Sequence, residues 1–251
     1  ETTGTVGWAP SIAIGSDGLA VISHGGNGSA LRVRHCADIA CIASTATNLD
    51  PTAEVNTAST IAIGTYGFPI VAYPLVINVR TAKCGDVLCT PGLATITTHT
   101  TAVQDQFNIS IVIGSDGLPV IVHQTGDADL AVTRCANVAC TSSTQVIADN
   151  QAVQVGFDAS VAIGADGFPV IAHRILTDGA ESGSDLRITR CTNLTCSAAV
   201  STTVDTGPNR VGYFTSIAVG ADGVPIVAYR DDTANTLKVA RCTDDTCSAV
   251  E

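Results

Sequence analysis

The sequence predicts an all-β fold, a five-bladed β-propeller with four-stranded antiparallel blades and one disulfide per blade. Three observations predict it. A unit of some fifty residues occurs five times in the 251-residue chain. Each unit holds short apolar runs separated by turn signals, mostly Asp-Gly. Each also carries two cysteines separated by four residues. A repeat of this length with hairpin chemistry and no 3.6-residue periodicity is the pattern of a propeller blade, and it excludes an α-solenoid. A β-solenoid stays as a minor alternative.

The first strand of each unit reads SIAIG, TIAIG, SIVIG, SVAIG and SIAVG, with its glycine at Gly15, Gly64, Gly114, Gly164 and Gly220. Being apolar throughout, it is expected to be the innermost strand, buried on both faces. Asp-Gly at Asp17, Asp116, Asp166 and Asp222 then places a hairpin turn, and the second unit keeps the glycine as Thr65-Tyr66-Gly67. The second strand follows as GLAVISH, GFPIVAY, GLPVIVH, GFPVIAH and GVPIVAY, and the third as LRVRHC, VRTAKC, LAVTRC, LRITRC and LKVARC. A Ser/Thr-rich stretch after the second cysteine supplies the fourth. The blades are expected at about 11–50, 59–101, 110–150, 160–206 and 216–251 of a single domain spanning 1–251. Between the second cysteine and the next first strand the chain has 19 to 22 residues, whereas the C-terminus supplies five and the N-terminus eleven. Residues 1–6 are therefore expected to complete the last blade, within one molecule or in a neighbour.

The pairs are Cys36–Cys41, Cys84–Cys89, Cys135–Cys140, Cys191–Cys196 and Cys242–Cys247. Closing the hairpin at this spacing puts the two cysteines on adjacent strands about 4.5–5.5 Å apart at Cα, within disulfide range. Such a bond contributes about 2 kcal/mol and is expected to staple the exposed outer edge. A metal reading is disfavoured, because five equivalent pairs spread around a rim do not converge on one ion.

The units resemble repeats of secreted bacterial β-propeller proteins that carry D-G-x-P-V-I-x-Y followed by L-K-V-x-x-C-x4-C, and the resemblance runs the length of the chain. Blade number and size are also similar to the tachylectin type of sugar-binding propeller, without its binding motif. The resemblance implies a secreted protein.

Composition narrows the function. The formal net charge is −11, with no basic stripe, so neither nucleic acid nor an anionic membrane is an expected partner. No apolar run nears the roughly 18 residues needed to span a bilayer. Ten cysteines in regular pairs and the start at Glu1 are read as a processed, exported polypeptide, secreted and either free or associated with the cell surface. The three N-x-S/T sequons start at Asn27, Asn108 and Asn193. No cofactor motif is present. Asp127, Asp129, Asp231 and Asp232 offer at most a weak calcium reading, lacking D-x-D-x-D-G, and no metal site is expected.

Two sets of residues are candidate ligand contacts. Three positions before the first-strand Ser stand Trp8, Asn56, Phe107, Phe157 and Tyr213. At the end of the second strand stand His24, Tyr73, His123, His173 and Tyr229. Strand direction puts both sets on one face, where aromatics beside hydrogen-bonding groups suit a sugar. The competing reading makes both sets structural, filling gaps and bonding neighbouring backbone. Five-bladed furanosidases place carboxylates on inner strands, and the apolar first strands here have none. No nucleophile elbow, P-loop or H-E-x-x-H occurs either. The expectation is therefore not an enzyme but a secreted, lectin-like binding module for surface glycans. The alternative is a self-assembling extracellular subunit, so the expected partners are a glycan or copies of itself.

Overall fold

The computed structural model describes residues 6–26, 30–53, 58–99, 109–178, 183–244 and 247–251. In chain order the strands are β1 (Trp8–Ile14), β2 (Ala20–Gly25), β3 (Leu31–Cys36), β4 (Ser44–Asp50), β5 (Thr60–Ile63), β6 (Pro69–Leu75), β7 (Asn78–Lys83), β8 (Thr95–His99), β9 (Ile109–Ile113) and β10 (Pro119–Gln124). They continue as β11 (Leu130–Cys135), β12 (Ser143–Asp149), β13 (Phe157–Ile163), β14 (Pro169–Leu176), β15 (Ser184–Cys191), β16 (Ala199–Asp205), β17 (Tyr213–Val219), β18 (Pro225–Asp231) and β19 (Thr236–Arg241). They form five antiparallel meanders, four of four strands and the last of three, as in a five-bladed β-propeller. The described residues of 1–120 with 134–144 make one compact unit, and those of 121–133 with 145–251 a second.

The Asp-Gly turns form as expected, and the aspartates do more than turn the chain. Asp17, Asp116, Asp166 and Asp222 each accept the amide of the residue two positions on, at 3.0–3.2 Å. Their second oxygens reach the third strand, at His35 (2.8 Å), Arg134, Arg190 (2.5 Å) and Arg241 (2.6 Å). The turn glycines sit at φ 78–84°, which other residues rarely adopt.

All five disulfides are present, with Cα separations of 4.8–4.9 Å. Two details differ from expectation. The second cysteine lies not on the fourth strand but in the turn before it, since Cys36 pairs with Ser44 and Cys191 with Ala199. That cysteine is left-handed in every copy, φ 52–54°, and the loop is braced by Asp38, Asp86, Asn137, Asn193 or Asp244 accepting nearby amides. Nor do the bonds guard an exposed edge. All the cysteines but Cys41 are buried, and Cys84–Cys89 and Cys242–Cys247 lie within the cores between adjacent sheets.

In the first unit, Val21, Leu31, Val33 and Leu49 pack against Val71, Tyr73 and Ala82 of the next sheet. In the second, Val170, Ala172, Leu186 and Ile188 pack against Val227, Tyr229 and Ala240. Where a strand is buried on both faces it is the second of its blade rather than the first, as in β6, β10 and β14. β10 and β14 are buried at every position, whereas β1 alternates, with Ile12 and Ile14 more than 60% exposed. The exposure of Ile12 is particular to β1, since its equivalents Ile61, Ile111 and Val161 in other first strands are buried. Of the N-terminal closing segment only Val6 is described, so the closure expected for residues 1–6 lies outside the described residues. At the C-terminus, Glu251 and Arg241 exchange both backbone hydrogen bonds (2.8 and 3.1 Å), beginning a fourth strand beside β19.

Candidate functional site

Trp8, Phe157 and Tyr213 open β1, β13 and β17, so these strands start three residues earlier than the apolar runs suggested. Each aromatic is followed by a left-handed residue, Ala9 (φ 45°), Asp158 (φ 52°) or Phe214 (φ 52°), and the pairing register shifts there. The bulge is used by the next blade. Ser59 donates to the Ala9 carbonyl (2.8 Å), and Thr215 donates to that of Asp158. Trp8 is half exposed, Phe157 and Tyr213 are half-buried, and Asn56 and Phe107 lie outside the described residues. One expectation is corrected here: β13 contains Asp158, so the inner strands do carry a carboxylate.

The set at the end of the second strand is buried: Tyr73, His123 and His173 fully, and Tyr229 and His24 nearly so. Their polar atoms are engaged within the fold. Tyr73 donates to Asp50 (2.7 Å), which also takes Arg80 (2.7 Å), and Tyr229 donates to Asp205 (2.6 Å) beside Lys238 (2.5 Å). His173 lies 3.6 Å from Asp149, which is ion-paired with Arg187 at 2.6 Å. Three times, then, an aspartate ending one blade's fourth strand latches a Tyr or His and a base of the next blade. Burial pushes the Tyr73 and Tyr229 hydroxyls up, helped by those carboxylates. The Asp50 carboxyl is pushed up by burial but more strongly down by hydrogen bonds from Tyr73, Thr52 and Arg80. Sequence reading missed these aspartates, although each stands nine residues after a second cysteine: Asp50 after Cys41, Asp149 after Cys140 and Asp205 after Cys196. His123 bonds Thr133 (2.9 Å) and the Gln124 carbonyl (3.2 Å), and His24 bonds the Gly25 carbonyl (3.0 Å).

In the second unit, carboxylates gather about the segment leading into β13. Gln124 clasps the Val155 carbonyl (2.6 Å), and the Val155 amide donates to Ala128 (2.9 Å). At Gly156 (φ 84°) a Cβ would stand 3.0 Å from the Leu130 Cα and 3.3 Å from the Asp129 carbonyl, so only glycine lets the strands approach. The Gly156 amide donates to His173 Nδ1 (3.3 Å), which leaves the imidazole proton on Nε2. Next in sequence, Asp158 accepts from Arg174 Nε (2.9 Å), whose guanidinium is sandwiched between the rings of Phe157 (4.7 Å) and Tyr213 (4.0 Å). On the other side Asp129 is half-buried. Its carboxyl is pushed up by burial and by the neighbouring Asp127 and Asp149. In blade four Asp185 is raised likewise, by burial and by Asp205, against a hydrogen bond from the Gly207 backbone. Asp129 thus has its carboxyl pushed up beside Asp149, which is held in an ion pair with Arg187.

Elsewhere, an open depression of about 190 Å³ on blade one is lined by Val6, Gly7, Pro10, Ile22, His24 and Arg34. Among the described residues no group of three or more His, Cys, Asp or Glu is placed to hold a metal ion. None of their helices is long and apolar enough to cross a membrane.

No family model matches the chain, and no curated protein matches it. Solved structures do. An α-L-arabinanase from Penicillium chrysogenum, complexed with arabinobiose, has a TM-score of 0.64 at 8% identity, with 93% of this chain and 77% of that one covered. An α-L-arabinofuranosidase from Fusarium graminearum has 0.61 at 9%, covering 94% and 80%. A protein of unknown function from Dyadobacter fermentans has 0.64 at 11%, covering 96% and 81%. At such identity the likeness establishes the fold alone. It is nevertheless enough to correct the expectation of a non-enzymatic lectin-like module, or of a self-assembling subunit. Several of the similar structures are arabinanases or α-L-arabinofuranosidases, so this fold does not argue against catalysis. The premise of carboxylate-free inner strands also fails at Asp158.

Proposed function

We propose that this protein is a secreted carbohydrate-active enzyme, a glycoside hydrolase acting on arabinofuranose-containing polysaccharide. The observation that carries the reading is the carboxylate group about β13: Asp129, pushed toward its protonated form, together with Asp158 on the inner strand, paired to Arg174. Hydrolysis of a glycosidic bond needs a carboxylic acid to protonate the leaving oxygen and a carboxylate to attack the sugar or activate water. In this reading Asp129 is the acid and Asp158 the carboxylate. Asp149 acts by repelling the Asp129 anion, and Arg174 orients Asp158. Support for the substrate class comes from the arabinan-directed enzymes that share the fold, and support for an extracellular setting from the five disulfides.

The test is release of reducing sugar from arabinan and arabinoxylan by the full chain. Asp129→Asn and Asp158→Asn are expected to lower the rate by at least about a hundredfold while the protein keeps its thermal transition. Hydrolysis that survives both substitutions, or a wild type inert on every polymer, overturns the reading.

A further inference from the structure

The turns after the first strands are built alike except in blade two. In the other four blades an aspartate stands two residues after the strand's glycine and satisfies two donors. One of its oxygens accepts the amide two positions on, from Leu19, Leu118, Phe168 or Val224. The other meets the base that precedes the first cysteine, His35, Arg134, Arg190 or Arg241. Blade two keeps a base there, Lys83 before Cys84, but its turn reads Gly64-Thr65-Tyr66-Gly67-Phe68. Tyr66 stands at the aspartate's position, brings no carboxylate and is 70% exposed. All of these blade-two residues belong to the first compact unit.

Two donors are thereby left without the carboxylate that their counterparts have. The Phe68 amide, equivalent to those of Leu19 and Val224, meets no acceptor among the described residues. Lys83 is only 8% exposed, and its ammonium donates to the Cys84 carbonyl (2.9 Å) and lies over the Phe68 ring, 4.9 Å from the centroid. Among the described residues no carboxylate pairs with it, and burial alone holds its pKa below the ordinary lysine value. An ammonium has three hydrogens to donate, and a buried charge is costly unless a counter-charge meets it. The space beside the turn is also less filled. A Cβ on Gly15, Gly114, Gly164 or Gly220 would meet the aspartate oxygen at 2.6–2.9 Å. One on Gly64 would meet nothing nearer than the Phe68 carbonyl at 3.4 Å and Lys83 Cε at 3.6 Å.

We propose that blade two binds the carboxylate group of a small organic acid at this turn, one oxygen on the Phe68 amide and the other on the Lys83 ammonium. The repeat itself sets the class of ligand, since a carboxylate serves the same two donors in the other four blades. It offers two oxygens to two donors with charge assistance at one, whereas a monatomic anion offers a single acceptor. The site shares no residue with the carboxylates about β13, so it stands whether or not the protein hydrolyses polysaccharide.

The experiment is proton–carbon NMR of the isotopically labelled full chain, following the lysine Cε signals as sodium acetate or, in a separate series, sodium chloride is added. Lys83 and Lys238 are the only lysines, so Lys83→Arg assigns both signals by the loss of one. Lys238 already pairs with Asp205 (2.5 Å) and serves as the internal control. Acetate is expected to move the Lys83 signal to saturation while Lys238 stays in place, with chloride at least about tenfold weaker. Tyr66→Asp gives the turn its own carboxylate, as in the other blades. It should abolish the response of Lys83 to acetate and melt no lower than wild type. A wild-type Lys83 signal that ignores acetate, or that moves as readily with chloride, overturns the proposal. So does a response shared equally by Lys238, or a Tyr66→Asp protein that answers acetate as the wild type does.

Discussion

His123 provides a quantitative test of how the blades are held. Its imidazole is fully buried on β10, where it bonds two neutral groups, the Thr133 hydroxyl and the Gln124 carbonyl. Burial lowers its pKa from the ordinary 6.5 to about 4, the backbone hydrogen bond opposing the shift slightly. The unfolded chain therefore takes up a proton near pH 6.5 that the folded chain resists until about pH 4. Stability is complete above 6.5 and is lost progressively as the pH falls toward 4, by about 3 kcal/mol for this one group. His173 shifts in the same direction to about 4, through burial first, with Asp149 opposing and Arg187 reinforcing. Together the two losses are comparable to the whole stability of an ordinary domain, about 5–15 kcal/mol. Urea unfolding followed by circular dichroism at several pH values between 7.5 and 4.5 measures the slope directly. His123→Gln should flatten that slope by close to one proton while lowering stability at pH 7.5. A wild type whose midpoint is level from pH 6.5 to 4.5, or a variant that keeps the full slope, would refute the reasoning.

Two further outcomes are expected from the packing. Tyr73→Phe removes a buried hydrogen bond to the Asp50 carboxylate, and the urea midpoint should fall by the equivalent of about 1.5–3 kcal/mol; an unchanged midpoint would mean the latch does not contribute. Replacing Cys191 and Cys196 by alanine should cost about 2 kcal/mol from chain entropy. Glycine at 196 in that pair should recover part of the loss relative to alanine, because the residue sits at φ 54°, and identical melting of the two would contradict this.

Much of the architecture was legible in the chain. The repeated Gly-to-Gly spacing, the Asp-Gly turns and the cysteine pairs led to five antiparallel meanders with five disulfides, because each is a local signal acting within a few residues of itself. The misreadings were all non-local. Continuous apolarity in Ile12-Ala13-Ile14 looked like double burial, but burial depends on what packs against each face, and Ile12 and Ile14 are exposed while Ile61 and Ile111 in equivalent strands are buried. The histidines and tyrosines ending the second strands looked like a display surface. They are turned inward by contacts with Asp50, Asp149 and Asp205, which lie 23 to 24 residues away from Tyr73, His173 and Tyr229 in sequence. Asp158 was overlooked because a bulge begins β13 three residues before its apolar run, and a bulge leaves no mark on hydropathy.

Repeat length, turn chemistry and cysteine spacing were thus sufficient to define the blade, since short-range sterics and covalent reach act identically in all five copies. Which side chains of those near-identical copies become buried latches and which stay exposed was decided by tertiary structure. The same position holds a buried ion-paired Asp158 in one blade and an exposed Phe214 in the next. The pKa of Asp129 depends on an Asp149 that only the folded sheets bring near. Charge, burial and strain are properties of surroundings, and surroundings exist only once the sheets have come together.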